Sequence, residues 1–311
     1  MVLLYVAGLK SAILVALTIM NIVTNSLVIA VIVRNPQLLD DRMTLFMLSL
    51  SVSDLASGCT FMPMSAILCH YDASGTLSYL PKVQFFFMTW FISTSWLGLL
   101  GVTVTKTIAI MRPLRYRDIM TTSRCNAVVG WGWMLCLCQA VLLSALSGNI
   151  TCNVDMCSYR LPINKNYSTL FATLVVLSSG SLFLLLSYSS AHIFIVVLRA
   201  HKQIAALAQS MGRTTGSDVT ANNMTRRSVR SARNIFIICV TAMALASPLV
   251  LFSITRNVWN SYWVSKWFGF IAMALFACNS FMDGLLYVFL YRSVRRKMSR
   301  LLTELFYRLS G

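Results

Sequence analysis

Residues 24–56 read TNSLVIAVIVRNPQLLDDRMTLFMLSLSVSDLA. Two apolar runs are joined by a short polar turn that carries proline, two aspartates and two arginines. Followed outward, the first run reaches back to residue 11 and the second continues to residue 69. About 20 apolar residues suffice for a helix to cross the ~30 Å hydrocarbon layer of a bilayer, so each run is a candidate span. Five more follow, at 83–105, 127–147, 168–198, 234–255 and 267–291. Only two acids fall inside the seven runs, Asp54 and Asp283.

Composition agrees with this reading. Of 311 residues 57% are hydrophobic and 11% charged, against roughly 25% charged in soluble domains. A mean hydropathy of +0.72 excludes a cytosolic enzyme, a disordered tail and a soluble DNA-binding domain. The net charge of +17 does not point to nucleic acid, because the bases gather in the short gaps between apolar runs, as membrane proteins distribute them. With the N-terminus outside the cell, 20 of the 26 Lys and Arg fall on inner loops and the C-terminal tail. Lys10, Lys82, Arg160, Lys165, Arg256 and Lys266 fall outside. The positive-inside rule therefore directs the N-terminus outward and the C-terminus into the cytoplasm. The first run is about twice too long for the apolar region of a signal peptide.

The expected fold is an all-α membrane protein, one seven-helix domain over residues 1–311. Helices are expected at about 8–33, 43–69, 82–110, 125–147, 167–199, 229–255 and 265–291. After the seventh, YRSVRRKMSRLLTEL carries Val294, Met298, Leu301, Leu302, Leu305 and Phe306 at helical spacing, with bases on the other face. This predicts an amphipathic helix over 292–306, lying on the inner leaflet. Residues 209–228 read as a flexible inner loop. The nine cysteines show no zinc spacing.

Local motifs add to the topology. TNSLVIAVIVRN followed by MTLFMLSLSVSDLA resembles the first two helices of rhodopsin-like (class A) G-protein-coupled receptors. AIMRPLRYRDIMT resembles their second inner loop, SPLVLF their proline-kinked sixth helix, and CNSFMDGLLYVF the end of their seventh. Within the class the chain is most similar to the melanocortin, lysophospholipid, cannabinoid and adenosine receptors. Pro81 stands where an outer cysteine is usual, the second outer loop has its own cysteine pair, and Gly180 replaces the fifth-helix proline.

The resemblance implies a set of site residues. Asp54, Ser95, Asn279 and Ser280 would surround a sodium ion, with Asn25 close by and Asp283 adding a second carboxylate. Na+ is the one cofactor implied; the alternative is a hydrogen-bonded network with no ion. The family's Asp-Arg-Tyr switch is here Thr105-Lys106-Thr107. Lys106 keeps the charge but loses the planar guanidinium. Neither Thr105 nor Ser228, near the foot of the sixth helix, supplies an acid to hold it, so either the resting state is poorly locked, with high basal activity, or coupling to the G protein is weakened. Tyr188 and Tyr287 match two tyrosines that come together on activation; otherwise they are interfacial aromatics. Pro248 kinks the sixth helix, and the tryptophan expected two residues earlier is Ala246, whose missing volume Trp96 is placed to fill.

The ligand site is expected in the outer third of the bundle. Phe85, Met88, Ile92 and Ser95 share one face of the third helix, with Gln84 at its edge. The resemblance adds Leu249, Ser253 and Met273 on the opposite wall. Met88 stands where amine receptors place an aspartate, and the lining suits a lipid or small hydrophobic molecule, or no ligand at all. In the second outer loop Cys152 and Cys157 are expected to pair, with Cys69 as the alternative partner for one of them. Asn149-Ile-Thr151 and Asn166-Tyr-Ser168 are glycosylation sequons. The implied function is a receptor coupling such a ligand to a heterotrimeric G protein, with membrane lipids as further partners and no nucleic acid. A divergent chemosensory receptor is the alternative. A seven-helix transporter is remoter, since no repeated halves are visible. No catalytic residues are assigned: His70, His192 and His201 are scattered, and no enzyme is expected.

Overall fold

The computed structural model describes residues 2–70, 79–112, 114–146, 151–153, 156–160, much of 180–202, 216–257 and 266–310. The first span is α1 (Val2–Val33), followed by a 3-10 turn over Pro36–Asp40. The second span is two helices, α2 (Arg42–Cys59) and α3 (Phe61–His70). The third is α4 (Leu80–Met111), after which α5 (Tyr116–Ile119) forms one turn of the second inner loop. The fourth span is α6 (Thr122–Leu146). Helical residues recur over 180–202, where the fifth is expected. The sixth and seventh are α7 (Gly216–Asn257) and α8 (Lys266–Leu290), and α9 (Arg292–Ser310) closes the chain. Among the described residues six helices are long and apolar enough to cross a membrane.

Three features differ from expectation. The second span is broken at Thr60, because Pro63 has no N–H and its ring would clash with the Cys59 carbonyl of a continuous helix. The turn closes there with Thr60 N–H donating to the Ser57 carbonyl at 3.3 Å. The sixth helix begins at Gly216 and not near residue 229, so part of the expected inner loop is helical. No proline interrupts 216–247, and a polar helix that leaves the membrane stays hydrogen-bonded within itself. Finally, an antiparallel hairpin, β1 (Thr151–Asn153) and β2 (Met156–Arg160), forms in the second outer loop.

Among the described residues the largest apolar cluster lies in the inner half of the bundle. Val28, Val31 and Ile32 of α1 pack with Met43, Phe46, Met47 and Leu50 of α2, Val102 of α4 and Tyr287 of α8. Val294, Met298 and Leu301 of α9 join the same cluster. The apolar stripe of α9 therefore divides: these three anchor it to the bundle, while Leu302 and Phe306 stay exposed. Close approach of α2 and α4 depends on glycine. A side-chain carbon at Gly98 would lie 3.2 Å from the Leu50 Cβ, and one at Gly101 would strike the Phe46 ring. Small residues at such crossings let membrane helices pack backbone to backbone. Outward, Ile19, Val23, Val128 and Leu135 are exposed, as suits surfaces facing lipid.

Candidate functional site

Polar side chains collect about midway along the bundle because helical spacing aims them inward from four spans. Asn21 and Asn25, four residues apart, share one face of α1. The Asn21 amide donates to the Asp54 carbonyl of α2 at 2.7 Å. The Asn25 amide donates to the Asn21 side-chain oxygen at 2.6 Å and to the Ser280 carbonyl of α8 at 3.1 Å. Asn279 and Asp283 repeat the four-residue spacing on α8, with the Asn279 amide 3.4 Å from Asp283 Oδ2. The hydroxyls of Ser95, on α4, and Ser280 face the Asp54 carboxylate. Asp54 is 2% exposed and Asp283 1%.

The network is rich in acceptors and short of donors. Asn25 Oδ1, Asp54 Oδ2, Asn279 Oδ1 and Asp283 Oδ1 are buried without a hydrogen-bond partner among the described residues. Buried polar atoms are ordinarily satisfied, so four orphaned oxygens on neighbouring residues call for a cation or a proton. Oxygen donors of this kind suit a hard cation. Among the described residues no cluster of three or more His, Cys, Asp or Glu offers a transition-metal site.

Above this network Trp96 packs against Ala246, Phe276 and Leu249, filling the volume that a bulkier residue at 246 would occupy. Met88 and Ile92 pack on Phe61, Met62 and Ala277. Phe85 is buried and Met273 half-buried. Gln84 is fully buried, its amide donating to the Ser65 hydroxyl, and its own oxygen finds no partner among the described residues. The Ser253 side chain lies outside the described residues.

At the inner end Lys106, for which neither Thr105 nor Ser228 supplies an acid, is met by one from another loop. Lys106 Nζ lies 2.8 Å from Asp41 Oδ2, and the lysine side chain is only 13% exposed. Thr105 and Thr107 turn back on their own helix, bonding the Gly101 and Thr103 carbonyls at 2.6 and 2.8 Å. The partner acid comes from the first inner loop, where Asp41 Oδ1 also accepts from the Met43 N–H at 3.3 Å and caps α2. Arg42 bonds the Leu39 and Met120 carbonyls at 3.2 and 3.3 Å, tying the first inner loop to the second. The Tyr116 hydroxyl is pushed up to about 12 by burial and by the nearby Asp41 carboxylate.

The family model of the "7 transmembrane receptor (rhodopsin family)" matches residues 24–287. The chain belongs to that receptor family. The receptor is similar to melanocortin receptor 4 of Danio rerio, 25% identical over 295 residues that cover 93% of this chain and 82% of that protein. Human melanocortin receptor 5 is 23% identical, with 95% and 84% covered. The 5-hydroxytryptamine receptor 4 of Cavia porcellus is 24% identical, with 90% and 76% covered. The melanocortin likeness agrees with the subgroup read from the sequence. Low identity over nearly the full length marks a divergent member.

The two tyrosines of the receptor stand in different surroundings. Tyr287 is 1% exposed and its hydroxyl lies 3.3 Å from the Thr44 hydroxyl of α2. Tyr188 is 70% exposed, beside His192. Pro248 lies within α7 as expected. The hairpin puts Cys152 and Cys157 on neighbouring strands, but their side chains, like Asn149 and Asn166, lie outside the described residues. The Ser228 and Cys69 side chains do too. Sequence reasoning missed Asn21 and Asp41. Asn21 was legible as the residue one turn before Asn25. The pairing of Asp41 was not, because 65 residues separate it from Lys106.

Proposed function

We propose that the receptor couples an apolar ligand, a lipid or small hydrophobic molecule bound in the outer third of the bundle, to a heterotrimeric G protein at its cytoplasmic face. The observation that carries the coupling reading is the ion pair at the inner end of α4, where Lys106 is held by a single acid on a loop. A surface pair of this kind is worth about 0–1 kcal/mol, so a docking partner can displace it. Phe85, Met88, Ile92, Leu249 and Met273 support an apolar ligand. An amine of the kind named by the 5-hydroxytryptamine relative would meet Met88 and no counter-ion there. The N-terminus faces outward and the C-terminal helix lies on the cytoplasmic leaflet. Cys152 and Cys157 pair in the outer loop, and Asn149 and Asn166 are glycosylation sites.

Asp54, Asp283, Asn25, Ser95, Asn279 and Ser280 would hold Na+, which neutralises charge and satisfies the orphaned oxygens. The ligand-independent signal expected from Thr105, Ser228 and Ala246 is smaller than the sequence alone implies, because Asp41 holds Lys106 and Trp96 fills the space beside Ala246. Nucleotide exchange on a panel of heterotrimeric G proteins, in membranes carrying the receptor, tests the coupling. Exchange that rises with receptor density and with added lipid extract supports it. No exchange from correctly inserted receptor, with and without extract, refutes it.

A further inference from the structure

We propose that Asp41 is the positioning acid of the cytoplasmic switch, holding Lys106 at rest from the first inner loop, so that the restraint on α4 runs to the N-terminus of α2 and not to the sixth helix. This rests on the coupling role of Lys106 given above.

The carboxylate is fixed before it pairs. One oxygen caps α2 through the Met43 N–H, and the backbone of Asp41 is extended, which leaves the second oxygen directed at Lys106. The Arg42 bond to the Met120 carbonyl and the approach of Tyr116 close the two inner loops around the same carboxylate. The Asp41–Lys106 pair is the only salt bridge among the described residues.

The contact between α4 and α7 has a different character. Leu99 packs with Ile235, Ile238, Cys239 and Ala242, and the Thr103 hydroxyl lies 3.2 Å from the Cys239 sulfur. Arg230 and Arg233, about four turns into α7, share the charge of Lys106 and cannot hold it, and the side chain of Asp218, nearer the start of α7, lies outside the described residues. Moving α7 outward therefore breaks apolar contacts and leaves Lys106 paired. Freeing the base requires either loss of Asp41 or a competing anionic group from the docking partner. Asp41 thus sets how often Lys106 is offered to a G protein.

The test separates charge from capping. Asn and Ser cap helices as Asp does, so Asp41→Asn and Asp41→Ser keep the cap and remove the ion pair. Nucleotide exchange without ligand, corrected for surface expression, is expected to rise about twofold to fivefold in both. Asp41→Glu should return the signal toward that of the unaltered receptor. In a Lys106→Arg background Asp41→Asn should raise exchange again. A rise confined to Asp41→Ala, with Asp41→Asn and Asp41→Ser unmoved, assigns Asp41 to capping alone and overturns the proposal. Exchange that is present but unaltered in every Asp41 variant refutes this assignment and leaves the coupling reading standing. Silence in every variant, the unaltered receptor included, refutes both.

Discussion

Replacing Asp54 by asparagine should remove a sodium dependence of stability that the unaltered receptor shows. Four acceptor oxygens, on Asn25, Asp54, Asn279 and Asp283, are buried without donors among the described residues, and each of these residues is at most 5% exposed. A buried acceptor left unpaired costs about 1–3 kcal/mol, which a bound cation offsets. An ion that binds only the folded receptor, present at about 100 times its dissociation constant, stabilises it by about 2.7 kcal/mol. For a chain of 311 residues that amounts to roughly 4 °C in the unfolding midpoint. The assay is thermal unfolding of purified receptor in sodium chloride and in N-methylglucamine chloride at equal ionic strength. Asp54→Asn should unfold at the same temperature in both salts. Its stability without sodium should match or exceed that of the unaltered receptor, because the new amide donates where the carboxylate could only accept. Asp283→Asn keeps one carboxylate and should retain a sodium shift. Equal midpoints for the unaltered receptor in the two salts, or an undiminished shift in Asp54→Asn, would refute the reasoning and leave a hydrogen-bonded network without an ion.

Other outcomes follow from single contacts. Lys106→Arg should strengthen G-protein activation by supplying a forked donor, and Lys106→Ala should abolish it; equal activation by all three proteins would remove Lys106 from the switch. Gly101→Ala places a methyl against the Phe46 ring and should destabilise by about 1–3 kcal/mol in thermal unfolding, a loss that Phe46→Leu should partly relieve. Ala246→Trp should be poorly tolerated because Trp96 and Phe276 already fill that space, whereas the pair Ala246→Trp with Trp96→Ala should recover folded, surface-expressed protein. Asn149→Gln should shift the receptor band on a gel by the mass of one glycan, matching enzymatic deglycosylation; an unchanged band would exclude glycosylation there.

Much of this receptor is written locally. A span needs only a long enough apolar run, because every backbone group of a helix is satisfied within the run itself. The spans and the interfacial helix are therefore readable without knowledge of neighbours, and so is the cytoplasmic side expected from the loop bases. The break at Thr60 is local too, since Pro63 removes a donor and clashes within one turn. Asp54 and Asp283 declare themselves because carboxylates inside a membrane need a reason. The tertiary structure decided what those groups meet. The Asn25 amide reaches the Ser280 carbonyl across 255 residues, and Asp41 reaches Lys106 across 65. Neither pairing leaves a periodic trace, because it depends on how far each helix is rotated and how closely its neighbour approaches. Gly98 and Gly101 set that approach between α2 and α4. Read alone, Thr105 implied a base with nothing to hold it. The folded chain supplies the acid from another loop, because packing α2 against α4 carries the N-terminus of one helix to the inner end of the other.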